Sequence, residues 1–331
     1  MWSLRTLLLV CATPVMMLPR TTVAQQVAGS CRRETPVNVI VPDGRLLRGL
    51  NADQFMVQAK RTDARISAIS DDSGPRRILF LLETGPDVPA AVRVAASRVV
   101  ADVLSQARAE DSFALLTAGG PRLELPFSQD RARFSEVLRS LEQEPANKPS
   151  RGEGVLDALL RGASWFPEGK SSDGILLFTT GLEKDHRTSF AAVQKQLADR
   201  RIRLFSFLFA PIQAGDWVGL VRFSATGIDS HWGFVPNRQT IGDLSWGSGG
   251  YLMQPGGAPQ RGYKLTDDNL ELLKTAASRM YSAIIEYYRV TLELNVAPRE
   301  IKFDVVKSVR RKVPGVQILY PRQYPPCPAS P

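Results

Sequence analysis

From Arg76 onward, continuous apolar runs alternate with stretches in which apolar residues recur every three or four positions. Ile78–Leu82 is an unbroken apolar run, as a strand buried on both faces requires. Val92, Ala96, Val99, Val103 and Ala107 then share one helical face. Phe113–Thr117 reads as the next strand. Leu123, Leu125 and Phe127 alternate with polar or proline positions, the pattern of an edge strand. Ser128 is placed to cap a helix that turns Phe134, Val137, Leu138 and Leu141 inward. Helices are predicted over 154–165 and from Thr188 to Leu197, with strands over 174–179 and 202–209. Such alternation predicts an α/β domain over 76–288, with a mostly parallel central sheet covered on both faces.

The flanks follow another rhythm. Residues 25–35 read as a loose leader. Within 36–72, Pro36–Val41, Met56–Ala59 and Ile66–Ile69 are short strand signals, Pro42-Asp43-Gly44 is a turn, and Asn51–Phe55 is a capped helical turn. This is a small β-rich preface, closed by the linker Asp71–Pro75. Thr266 caps a long amphipathic helix carrying Leu270, Leu273, Ala277, Met280, Ile284 and Tyr287 on one stripe, which reads as core. Tyr288–Val296 and Ile301–Val309 read as strands joined around Pro298, Val316–Tyr320 as a last short strand, and 323–331 as a proline-rich tail. Neither the preface nor the 289–322 strands can bury a core alone, so the two ends of the chain are expected to pack together. Residues 211–262 break the pattern, being glycine-rich and aromatic. A segment this long inside a domain is functional or hides short elements. Trp217, Trp232, Phe234 and Trp246 in it are partner-binding candidates, with inward packing as a satellite core the alternative.

The N-terminus changes the picture of where the chain works. Met1–Arg5 is a positive start, Leu7–Met17 is mostly apolar, and Thr22-Val23-Ala24 is a small-residue cleavage site. Residues 1–24 therefore read as a secretory signal peptide. The alternative, a membrane anchor, needs a longer run without Pro14. Cys11 follows Val10 rather than a small residue, which disfavours a lipoprotein anchor. No second apolar run follows, so a mature chain without a transmembrane segment is expected, exported to the periplasm or the medium. Its 44% hydrophobic and 23% charged residues suit a globular domain and not a disordered one. Loss of Arg5 and Arg20 takes the net charge from +9 to +7. That permits attraction to anionic surfaces. The basic clusters are too short for a nucleic-acid arm, and a protein partner is expected instead. Cys31 and Cys327 remain after cleavage, either as a disulfide joining the chain ends or as two free thiols.

The first apolar run ends in chemistry. Arg76–Asp87 reads as strand, loop and helix start, with Glu83, Gly85 and Asp87 in the loop. Together with Val39–Arg45, Leu50–Phe55, Asp111–Leu116, Leu125–Asp130, Leu156–Leu159, Ile175–Gly181 and Tyr287–Val290, taken in order and spacing, it resembles the bacterial secreted VWFA-related (von Willebrand factor A-like) domain family over about 37–325. The resemblance implies a three-layer Rossmann-like sandwich. It also implies a crevice at the strand ends where the family holds a cation on an Asp-x-Ser-x-Ser loop, a threonine and an aspartate. Here Glu83, Gly85 and Asp87 stand for the first loop, Glu153 for the threonine and Thr180 for the aspartate. No family ligand is retained. The resemblance therefore implies a degenerate metal-ion-dependent adhesion site with no cofactor. A calcium or magnesium site rebuilt from Glu83, Asp87, Glu153 and Thr180 is the alternative. Without a cation, these acids are expected to repel and one pKa to rise, unless they face solvent or pair with Arg76, Arg77 or Arg151.

Motifs for catalysis are absent. His186 and His231 form no metal-binding spacing. Gly169-Lys170-Ser171 lacks the upstream glycine of a phosphate loop, and Gly247–Gly250 lacks the setting of a nucleophile elbow. The expectation is a non-enzymatic protein-interaction or scaffold module. A divalent-cation-dependent adhesion module is the second reading, and a hydrolase using crevice carboxylates the third.

Overall fold

A computed structural model describes residues 31–59, 64–72, 74–86, 88–143, 152–166, 170, 172–181, 187–209, 219–224, 227–232, 236–254, 265–294, 301–322 and 324. In chain order the elements are β1 (Cys31–Ile40), β2 (Phe55–Ala59), β3 (Ala64–Asp71), β4 (Arg77–Glu83), α1 (Ala90–Gln106), β5 (Ser112–Ala118) and β6 (Glu124–Ser128). Then follow α2 (Arg131–Gln143), α3 (Val155–Ser164), β7 (Gly174–Thr179), α4 (Phe190–Asp199), β8 (Arg203–Leu208), β9 (Gly219–Ser224) and β10 (Gly227–Trp232). The chain closes with α5 (Pro236–Gly247), β11 (Leu252–Gln254), α6 (Asp267–Ile285), β12 (Tyr288–Leu294), β13 (Ile301–Val305), α7 (Lys307–Lys312) and β14 (Gln317–Leu319). No helix among the described residues is long and apolar enough to cross a membrane.

The main sheet has the order β10-β9-β11-β8-β7-β4-β5-β6. Its inner pairs run parallel, and β6 and β10 close its edges antiparallel. Strand alternation divides each central strand between two cores. Ile78, Phe80 and Leu82 of β4 face a core shared with α1, α2 and α6. Leu79 and Leu81 face one shared with α3, α4 and α5. The continuous apolar run of β4 thus follows from cover on both faces. Paired phenylalanine rings, Phe80 on Phe113 and Phe178 on Phe207, stack across neighbouring strands at centroid distances of 5.5 and 5.2 Å.

A second, four-stranded sheet has the order β14-β1-β12-β3, with every neighbour antiparallel. A β2–β13 ribbon packs with it over Val37, Val39, Phe55, Val290, Leu292 and Phe303. Each sheet therefore takes strands from both ends of the chain.

Several expectations need correction. Residues 31–35 are not loose. They open β1 and pair with Val290–Leu294 of β12. The strand expected through Val309 stops at Val305. The following Lys307–Lys312 turn buries only Val309 and forms α7. The 211–262 segment contains a β9–β10 hairpin, α5 and β11. Its glycines hid these short elements by breaking every apolar period. Asp130 caps α2, accepting from the Arg133 amide at 3.3 Å. Ser189 rather than Thr188 caps α4, accepting from the Ala192 amide at 3.2 Å.

The joint between the sheets lies at the C-terminus of α6, whose last carbonyls lack intrahelical donors. Asn38 Nδ2 donates to the Ala283 and Glu286 carbonyls at 3.1 and 2.6 Å. Arg203 donates to the Ala283 and Ile284 carbonyls and to Asn38 Oδ1, and Arg76 donates to the Ile285 carbonyl. Both guanidinium groups lie over the Tyr287 ring, at 4.4 Å for Arg203 and 4.9 Å for Arg76. Burial pushes the Arg203 guanidinium down to about 10. Helix-end carbonyls and an aromatic face are what allow a charge to stay here.

Candidate functional site

The helices after β4 and β7 leave toward opposite faces of the sheet. The crevice that such a switch creates lies beyond the carboxyl ends of these two strands. Glu83, the last residue of β4, is buried there. Its Oε2 accepts from Thr179 Oγ1 at 2.6 Å and from the Thr180 amide at 2.6 Å. Thr180 Oγ1 lies 3.1 Å from both carboxylate oxygens. The Gly181 amide in turn donates to Thr179 Oγ1 at 2.9 Å, orienting that hydroxyl. The carboxylate thus joins the ends of β4 and β7.

Backbone packs closely around the loops beside the crevice. A Cβ on Gly120 would stand 2.6 Å from the Thr84 carbonyl oxygen, and one on Gly152 would stand 2.5 Å from the Gly120 carbonyl oxygen. Gly85 lies against Gly119, where a Cβ would meet the carbonyl oxygen at 3.0 Å. The Gly119 amide donates to the Glu153 carbonyl at 2.7 Å. Glycine at these positions lets three loops touch main chain to main chain.

The Glu153 carboxylate is engaged by α3. Arg161 Nε donates to Glu153 Oε2 at 2.6 Å, and the same guanidinium is ion-paired with Glu124 of β6. Burial and the charge of Asp157 push the Glu153 carboxyl up, with Arg122 opposing. Of the arginines expected as partners, Arg76 is paired with Asp72 and Arg77 with Asp173 through bonds of 2.9 and 2.7 Å, while Arg151 lies outside the described residues. Asp157 accepts from the Arg187 and Thr188 amides, fixing the approach to α4.

Glu83 and Thr180 are therefore brought together, and Glu153 is turned to a separate ion-pair cluster. Asp87 lies outside the described residues. Among the described residues, no group of three or more His, Cys, Asp or Glu side chains is placed to hold a metal ion. Sequence reasoning missed Thr179 and Arg161. Thr179 was visible as the hydroxyl residue ending the strand beside Thr180. Arg161 carried no signal, because its pairing depends on β6 lying beside α3.

Trp246 is half-buried and packs against the core shared by α1 and α6. Trp217, Phe234 and the side chain of Trp232 lie outside the described residues. Cys31 is buried and disulfide-bonded, while Cys327 lies outside the described residues.

No family model matches the chain, and no curated protein matches it. Among solved structures it is similar to an aerotolerance-related membrane protein from Bacteroides fragilis carrying multiple mutations to serines. The identity is 14% and the TM-score 0.41, over 62% of this chain and 98% of that one. The same values describe its similarity to the conserved hypothetical protein BatB from Bacteroides thetaiotaomicron. Proximal thread matrix protein 1 from the mussel byssus aligns at 11% identity with a TM-score of 0.43, over 68% of this chain and half of that protein.

Proposed function

We infer that this chain is an exported, non-enzymatic protein-interaction or scaffold module. In this reading it has a von Willebrand factor A-like, Rossmann-like sandwich whose metal-ligand positions are converted to direct protein hydrogen bonds. One observation carries the reading. The Glu83 carboxylate accepts from the Thr179 and Thr180 hydroxyls and the Thr180 amide, so the strand ends that a cation would bridge are already joined. A carboxylate accepting from hydroxyls and an amide in a buried crevice has little left to offer a metal ion. Glu153, held by Arg161, is withdrawn from the same point. No cofactor is needed in this reading, and partner binding draws on surface outside the crevice, with the 211–262 aromatics as its candidate region.

Titration calorimetry with calcium and magnesium tests this on the wild type and on Glu83→Ala and Glu153→Ala. The expected result is no saturable binding in the micromolar range for any of the three, and partner capture unaffected by a chelator. Micromolar binding lost in either variant would replace this reading with a cation-dependent adhesion module.

A further inference from the structure

After β1 the chain turns back through Leu46-Leu47-Arg48, and hydrogen bonds fix this segment in place. The Leu47 amide donates to the Val39 carbonyl at 2.7 Å. The Tyr288 hydroxyl donates to the Leu47 carbonyl at 2.8 Å and accepts from the Leu50 amide at 3.0 Å. A cavity of about 220 Å³ remains between this segment, the end of β3 and the junction of α6 with β12. It reaches from the exposed Arg48 and Asp71 in to the buried Tyr287. One water needs only about 10–15 Å³ of such space, and protein interiors rarely leave more. A pocket for a drug-sized ligand is larger, roughly 300–1,000 Å³. The size therefore suits one side chain.

Leu46, Leu47 and Ile285, each half-buried, give the cavity an apolar wall. Two guanidinium groups line it as well, and each already holds a carboxylate. Arg48 is ion-paired with Glu286, and Arg108 pairs with Asp111 at 2.7 Å. The Asp72 carboxylate is held by Arg289, Arg76 and the Tyr287 hydroxyl. Asp71 differs from these. It ends β3 opposite Tyr288, and no hydrogen bond or ion pair among the described residues holds its carboxylate. Burial pushes the Tyr288 hydroxyl up, with Asp71 adding to it and the Leu50 amide and Arg48 opposing. Asp71 and the Arg48–Glu286 pair thus flank the same hydroxyl at the mouth of the cavity.

We propose that this cavity takes a lysine side chain presented by a protein partner, its alkyl stem against Leu46, Leu47 and Ile285 and its ammonium beside Asp71. A four-carbon stem ending in a compact charge matches an apolar space with a carboxylate at its edge. The bond to Asp71 is charge-assisted and selects a cation over a neutral or anionic group of the same size. That the lysine belongs to a partner rests on the protein-interaction reading given above.

Calorimetry with butylammonium, the lysine side chain alone, tests this against 1-butanol and butyrate, at matched ionic strength and without divalent cations. Wild type is expected to bind butylammonium saturably in the millimolar range, and the other two at least about tenfold more weakly. Asp71→Asn should weaken butylammonium binding about tenfold, the loss of one charge-assisted pair. Arg48→Ala should strengthen it, because a competing cation leaves the mouth and Glu286 is freed. Both side chains are exposed, so both variants should melt near the wild-type temperature. Nα-acetyl-lysine methylamide, which carries the same side chain on a backbone, should bind at least as tightly as butylammonium. Butylammonium binding without it would overturn the assignment to a partner's lysine. Binding of 1-butanol or butyrate as tight as that of butylammonium, undiminished binding in Asp71→Asn, or weaker binding in Arg48→Ala would overturn the proposal. With no divalent cation present, these outcomes are independent of the crevice at Glu83.

Discussion

Glu83 and Arg203 show how single side chains settle the two ends of the main sheet. Both are buried ionisable groups, and each is held by backbone groups, hydroxyls or a side-chain amide and not by an opposite charge. Removing such an acceptor leaves buried donors without partners, which costs more than the bond itself contributed. Glu83→Ala strands the Thr180 amide and leaves a cavity, and should destabilise the protein by about 2–4 kcal/mol. Glu83→Gln keeps the volume and one acceptor, and should cost about 1 kcal/mol. Urea denaturation of the two variants reads the difference. A Glu83→Ala midpoint equal to wild type would mean that the carboxylate does not join β4 to β7.

At the scale of elements, close backbone approaches mark where the fold tolerates no change. Gly250 precedes β11, and a Cβ there would stand 1.9 Å from the Leu204 carbonyl oxygen of β8. Gly49 has φ 77°, with nothing within 4 Å of a built Cβ. Gly250→Ala should therefore cost more than about 3 kcal/mol or prevent folding, whereas Gly49→Ala should cost about 1 kcal/mol from its backbone alone. Soluble yield and thermal melting of the pair check this, and comparable losses would contradict it. The same contrast explains what the sequence made legible. β4, β5, β7 and β8 are each built on an apolar run, and α6 has a long stripe and a threonine cap, so each was readable from its own residues. The β9–β10 hairpin, α5 and β11 owe their form to neighbouring strands, and α7 to a single buried valine. At the crevice, the identities of Glu83 and Thr180 were visible, but their mutual bond needed the parallel register of β4 with β7.

Across the whole molecule, Asp72 ties the β-rich sheet to the α/β sheet, and Asp111 braces the α/β side of that joint. Asp72 accepts from the Tyr287 hydroxyl at 2.6 Å, pairs with Arg289 at 2.6 Å and with Arg76 at 3.2 Å. Asp111 accepts from the Tyr281 hydroxyl at 2.6 Å and the Arg76 amide at 2.8 Å, and pairs with Arg108 at 2.7 Å. Burial opposes ionisation at both. The bonds from Arg289 and Tyr287 to Asp72, and from Arg108 and Tyr281 to Asp111, nevertheless hold both carboxyls below the usual carboxylate range. The unfolded chain takes up these protons near the ordinary aspartate value of about 3.9, while the folded protein resists until lower pH. Their contribution is therefore fully present above about pH 4 and is lost as the pH falls through the folded values. Urea midpoints should stay level for these groups between neutral pH and about pH 5, then drop below about pH 4. Asp72→Asn should be less stable than wild type at pH 7 and should lose less on going to pH 3, since one of the two titrating carboxyls is gone. Asn38, Arg76, Arg203 and Tyr287 meet at the same joint, so weakening Asp72 should also loosen the β-rich sheet from its neighbour. Limited proteolysis at pH 3 and pH 7 reads that step, with cleavage in 36–72 expected ahead of cleavage in β4, β5 or β7. An Asp72→Asn acid slope identical to wild type would show that the joint does not set the acid limit of the fold.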